Sequence, residues 1–156
     1  MSGSLFATSD LHVSYAENRA IVDRLRPESD DDWLIVAGDV GDLFGDIERT
    51  LRLLRERFSS VIWAPGNHEL WTHPSDPVTL RGEERYRALV RMCRDIGVHT
   101  PEDDYLVWSG VDGPVLVVPL FLLYDYSFRM PGVTTKAESL RLAHEAGVVC
   151  TDEMLL

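Results

Sequence analysis

Asp10, His12, Asp39, Asp42, Asn67 and His68 are the residues whose types and spacing can do chemistry. They fall in three clusters, Asp10-Leu11-His12, Gly38-Asp39-Val40-Gly41-Asp42 and Gly66-Asn67-His68-Glu69, each following an apolar, β-branched run. Carboxylate, imidazole and amide oxygen together suit a divalent cation. Two such ions about 3.5–4 Å apart form the usual clamp for phosphoryl chemistry. Alternation in Asp10-Leu11-His12 is expected to aim Asp10 and His12 at one ion, with Leu11 turned inward. Asp39 has two carboxylate oxygens and can bridge two ions. Asn67 can add a neutral oxygen to the second. His68 then points elsewhere and is the candidate proton donor, with Asp42 as the carboxylate that orients its ring.

Spacing says what must position these groups. Asp39 lies 29 residues after Asp10, and Asn67 lies 28 after Asp39. That step is about one βα unit returning to a neighbouring parallel strand. The clusters should meet at the carboxyl ends of adjacent strands, where open α/β sheets bind ligands. The runs Leu5 to Thr8, Trp33 to Ala37 and Val61 to Ala64 read as those strands, buried on both faces. A capping box of Ser14 and Glu17 predicts a helix that stops near Pro27, with Ile21 and Leu25 on its apolar face. The spacing of Ile47, Leu51, Leu54 and Phe58 predicts a helix over 46–58, with Arg49, Arg52, Arg55 and Arg57 as a solvated face. Tyr86, Leu89, Val90 and Cys93 mark a third helix ending near Gly97. Asp112-Gly113 is the turn of a hairpin, and Lys136 to Ala146 is a last helix closed by Gly147. The run Asp30-Asp31-Asp32 reads as a solvated turn.

Composition narrows the function. A chain of 156 residues suits one domain, here taken as 1–156. A net charge of −11 disfavours a nucleic-acid partner and fits a small phosphorylated substrate better. No apolar run approaches the roughly 20 residues of a membrane span. The N-terminus does not read as a signal peptide, so the expected location is cytoplasmic. Cys93 and Cys150 stand far apart and read as free thiols.

In these motifs the chain resembles the calcineurin-like metallophosphoesterase superfamily, whose first three motifs are Asp-x-His, Gly-Asp-x-x-Asp and Gly-Asn-His-Asp/Glu. The resemblance implies an α/β fold, a β-sandwich flanked by helices, around a dinuclear Mn, Fe or Zn centre. By it, Asp10 and His12 bind the first metal, Asp39 bridges, Asn67 binds the second, and His68 with Asp42 is the catalytic pair. A metal-bridging hydroxide would attack phosphorus in line, hydrolysing a phosphodiester or phosphomonoester. The family's later histidine and its Gly-His-x-His motif have no counterpart after His68, where only His73, His99 and His144 remain. The second metal site is therefore expected to be weak, and residues 1–156 are expected to be the N-terminal portion of such a domain, or a truncated relative, with the sandwich's second sheet incomplete. Such a chain is expected to hydrolyse weakly or not at all by itself, and to self-associate through the incomplete sheet face. The alternative is a non-catalytic interaction module on the same fold. Leu43-Phe44 follows Asp42 where protein Ser/Thr phosphatases have Arg-Gly, which disfavours that branch. Trp71, Tyr124 and Arg129 are candidates to stack on or clamp the substrate, with packing under a loop as the alternative reading.

Overall fold

A computed structural model describes residues 3–156. Three short apolar runs form β1 (Leu5–Thr8), β2 (Trp33–Ala37) and β3 (Ser60–Ala64), a parallel sheet in the order β1-β2-β3. Leu5 pairs with Trp33 and Trp33 with Ser60, so the three carboxyl ends lie level. The βα spacing read from the motifs thus brings them to one edge. The helices α1 (Ala16–Val22) and α2 (Phe44–Arg57) make the two crossovers, and α3 (Gly82–Asp95) follows β3. His99 bridges to Ile62 in the parallel sense and extends the sheet by one residue pair. Beyond it lie a hairpin of β4 (Leu106–Gly110) and β5 (Gly113–Val117), then α4 (Lys136–Glu145) and α5 (Asp152–Leu155). The fold is mixed α/β.

Ile47, Leu51 and Leu54 of α2 are fully buried against the sheet, with Leu34, Val36, Val61 and Trp63 opposite. Each such side chain contributes about 1.5–3 kcal/mol through removal from water. The strands are not covered equally on both sides as the apolar runs suggested. In β2, Leu34 and Val36 are buried while Trp33 and Ile35 are half-exposed, so only β3 is enclosed along almost its whole length.

The first crossover departs from its expected capping. Tyr15, not Ser14, occupies the N-cap, and no side chain caps it. Ser14 instead donates its hydroxyl to Asp42 Oδ2 at 3.2 Å, because that acceptor lies within reach across the loops. The helix ends at Val22, short of Pro27, and Ile21 faces solvent while Val22 is buried. Two of the four α2 arginines are likewise not a solvated face. Arg55 donates to the carbonyls of Gly97 and Phe58, and Arg57 to those of Val22 and Leu25. Both thus cover carbonyls at or just beyond helix ends. Both cysteines are free, with Cys93 buried and Cys150 half-buried. No helix among the described residues is long and apolar enough to cross a membrane.

Asp32 is also not the solvated residue its acidic neighbours suggested. It is 1% exposed, and its carboxylate accepts from the backbone N–H groups of Ser4, Glu28 and Ser29, tying the start of β1 to the turn before β2. Burial acts to raise its pKa, but those N–H groups outweigh burial and hold the carboxyl below the usual aspartate range. Asp76 and Asp103 are held low in the same way, by hydrogen bonds that exceed the effect of burial. A folded pKa below the unfolded one means stabilisation that is complete above the unfolded value of about 3.9. It is lost as pH falls through the folded values. Loss of these three contributions should therefore make the urea midpoint drop steeply as pH falls below about 4. A midpoint unchanged down to pH 2 would contradict this assignment.

Candidate metal centre

The edge where β1, β2 and β3 end is built by loop-to-loop hydrogen bonds. Asp10 N donates to Gly38 O at 3.1 Å, His12 N to Asp39 O at 2.9 Å and Val13 N to Val40 O at 2.9 Å. The chain after β1 thus runs alongside the chain after β2. Leu11 and Val13 are buried and His12 sits between them, so the inward turn of Leu11 holds. Strand alternation is not what aims Asp10 and His12, however. β1 ends at Thr8, and Asp10, His12 and Asp39 have φ of 54°, 38° and 55°. These are left-handed conformations, uncommon outside glycine.

Glycine is required where the second and third loops touch. A Cβ on Gly38 would lie 2.6 Å from Gly66 N, and one on Gly66 would overlap Asp39 Oδ1. Gly66→Ala should therefore displace the Asp39 carboxylate and weaken Mn²⁺ binding at least tenfold, as loss of ligand orientation does. Calorimetric titration with Mn²⁺ reads it, and unchanged affinity would show that the loop yields.

The result is a convergence of donors. Nitrogen or oxygen atoms of His12, Asp39 and His68 lie within 4.8 Å of one another. Asp10 stands at the rim, its side chain 69% exposed and Oδ1 3.9 Å from His12 Nε2. His68 Nδ1 lies 2.7 Å from Asp42 Oδ1, so the two residues expected to pair are in contact. The backbone N–H of His68 donates to Asp39 Oδ1 at 3.2 Å. The His12 and His68 rings meet edge to face at 4.5 Å between centroids, and Trp71 lies against His68 at 3.6 Å. Asp10, Asp39 and Asp42 gather here with no lysine or arginine paired to any of their carboxylates among the described residues. Imidazole nitrogen and carboxylate oxygen without a counter-charge form a donor set that fits a divalent cation.

Beneath this layer lie residues that the motif reading passed over. Glu69 is fully buried, and its carboxylate accepts from the N–H groups of Asp39, Val40 and Gly66 at 3.1, 2.7 and 2.9 Å. It brackets the two glycine turns rather than facing a metal. Burial pushes its carboxyl up, against the pull of those N–H groups. Arg85, also fully buried, pairs with Asp76 at 3.0 Å and donates to the carbonyls of Glu69 and Asp42. Nothing in a helical Glu-Glu-Arg run distinguishes a buried arginine from an exposed one. The rank of Glu69 beside His68 in the third motif was the better signal.

The remaining candidates divide. Trp71 and Tyr124 lie together, but both give their polar atoms to Asp152: Trp71 Nε1 donates to Oδ1 at 2.6 Å and the Tyr124 hydroxyl to Oδ2. Asn67 Nδ2 donates to the same Oδ1 at 2.8 Å. Burial acts to raise the Asp152 pKa, but these three donors and nearby His68 hold it low. Arg129 is not with them. It donates to Thr134 O within its own turn, and its Nε is buried without a partner. A phosphate clamp by Arg129 is therefore not what this arrangement provides. His73 bonds Ser75 at the surface and His144 is exposed on α4, so neither joins the cluster.

Three level βα units with a His12–Asp39–His68 convergence beside a His–Asp pair define an α/β protein with a candidate metal centre at its sheet edge. The chain belongs to the calcineurin-like phosphoesterase family, whose model matches residues 4–137. It is 52% identical over 153 residues to the [acyl-carrier-protein] phosphodiesterase PptH of Mycobacterium tuberculosis (strain ATCC 25618 / H37Rv), covering 98% of this chain and 47% of that protein. The crystal structure of phosphopantetheinyl hydrolase (PptH) from the same species matches with a TM-score of 0.94, covering 98% of this chain and 54% of the other. The chain spans about half the length of these relatives. Membership of this family implies divalent metal ions.

Proposed function

We propose that this chain carries a metal-dependent phosphodiester-hydrolysing site, with an acyl-carrier-protein phosphodiester as substrate. The observation that carries the reading is the 2.7 Å His68–Asp42 pair set beside the His12–Asp39 donors. The relative's 52% identity supports the substrate class. Asp10, His12, Asp39 and Asn67 would hold two divalent ions, Mn, Fe or Zn. Bound there, such ions supply Lewis acidity to a phosphoryl oxygen and lower the pKa of water. The family's β-sandwich is the architecture we infer around them, with β4 and β5 contributing to its second sheet.

The chain's own residues handle the proton. An ionised Asp42 only accepts, so Nδ1 of His68 carries the hydrogen in their bond. That leaves Nε2 to face substrate and give a proton to the departing oxygen when the ring is charged. Ser14 holds the other Asp42 oxygen and Arg85 holds the Asp42 carbonyl, so the carboxylate keeps its aim. Trp71 packs on the ring and restricts its rotation. A small phosphorylated group fits the acidic surface better than a nucleic acid does.

The test is hydrolysis of a p-nitrophenyl phosphodiester with added Mn²⁺, followed by release of phosphopantetheine from an acyl carrier protein. His68→Ala should lower turnover about 10²–10⁴-fold, the usual share of a proton donor, with Mn²⁺ still bound. Turnover that survives His68→Ala undiminished would refute the role given to this residue.

A further inference from the structure

The Asn67 amide has two unlike ends, and only one of them can serve a cation. Its nitrogen donates to Asp152 Oδ1 at 2.8 Å, across 85 residues of sequence. Its oxygen accepts no hydrogen bond from the described residues. A carboxylate has no proton to give, so it can face only the nitrogen end of an amide. Without such a partner the amide can turn over and present N–H groups, which repel a cation. The same Asp152 oxygen accepts from Trp71 Nε1, and Trp71 lies against the His68 ring at 3.6 Å. One carboxylate therefore touches both the Asn67 amide and the Trp71 ring that lies against His68. Its own seat is secured by the Tyr124 hydroxyl and, further along α5, by Thr72 N donating to Leu155 O at 2.8 Å.

We propose that Asp152 is a positioning residue, which fixes the Asn67 amide with its oxygen free for a metal ion and pins Trp71 against His68. The proposal rests on the reading of Asn67 as a ligand given above. Partners of this kind, one bond removed from a metal, are worth about 10–100-fold in metal affinity or activity when removed.

The experiment is Mn²⁺ titration of the chain, followed by electron paramagnetic resonance and calorimetry, with thermal melting in parallel. Asp152→Ala should weaken the weaker Mn²⁺ site by about 10–100-fold. Asp152→Asn keeps an acceptor oxygen and should recover part of that loss. Leu155→Ala, which trims a half-buried side chain of α5 while keeping the Leu155 carbonyl and leaving Asn67 untouched, should lower the melting temperature and leave Mn²⁺ affinity nearly unchanged. Equal Mn²⁺ losses in Leu155→Ala and Asp152→Ala would reduce Asp152 to a packing role and overturn the proposal. Wild-type affinity in Asp152→Ala, with binding abolished in Asp39→Ala, would overturn it while leaving the proposed metal site standing. A native chain that takes up no more Mn²⁺ than Asp39→Ala would overturn both.

Discussion

An Asp39→Ala variant stays folded, takes up no Mn²⁺ and hydrolyses no phosphodiester above background. That is the largest functional effect expected of a single change in this chain. The Asp39 carboxylate lies within 4.8 Å of both imidazoles and is also the group that the His68 N–H meets. Among His12, Asp39 and His68 it is the only carboxylate, so it alone has two oxygens to offer. In the proposed two-ion site its loss would remove a ligand from both ions at once, where loss of His12 or Asn67 would weaken one. Several kcal/mol of charge stabilisation attach to such a centre, and each 1.36 kcal/mol is tenfold in rate, so a fall of about 10³-fold or more follows. The fold survives because Asp39 makes no side-chain contact that the sheet depends on. Circular dichroism, metal content per chain and turnover should be read on the same sample. Undiminished Mn²⁺-dependent hydrolysis in this variant would sink the proposed function.

Arg85→Met has the largest expected effect on stability. The Arg85–Asp76 pair is fully buried on both sides, and Asp76 is otherwise held by the N–H groups of Phe44 and Val78. Methionine fills much of the arginine's volume but leaves a buried carboxylate without its counter-charge. Breaking a buried pair in this way costs about 3–5 kcal/mol. For a chain of this size each kcal/mol shifts the midpoint by roughly 2–4 °C, so thermal melting should fall by roughly 10 °C. The double variant Asp76→Leu/Arg85→Met should recover part of that loss, since no unpaired charge remains. A single variant that melts within about 2 °C of the native chain would show that water reaches Asp76. Arg85 also holds the carbonyls of Glu69 and Asp42, so metal affinity should fall with it.

Sequence reading recovered the frame better than its fastenings. Leu34, Ile35 and Val36 form an unbroken apolar run, and Ile47, Leu51 and Leu54 repeat at helical spacing, so β2 and α2 fell close to their observed limits. Motif spacing matched the level strand ends because one βα step has nearly fixed length. What escaped was polar and non-local. Charged residues are rarely fully buried, so Asp32 read as part of a solvated turn, and nothing local marked Glu69 or Arg85 as buried. Ser14 was assigned to a cap because local signals give no sight of Asp42, 28 residues on. Asp152 was invisible for the same reason, at three times that distance from Asn67.

The left-handed backbone at Asp10, His12 and Asp39 has a further consequence, for the way this chain evolves. An L-residue in that region costs roughly 1–2 kcal/mol that glycine does not pay. Asp39→Gly and His12→Gly should thus fold at least as stably as the native chain while losing the metal centre. Selection for thermal robustness alone would erode these positions first, and laboratory evolution under heat should reproduce that drift. An intact trio in a descendant of this chain would then be a record of uninterrupted demand for its chemistry.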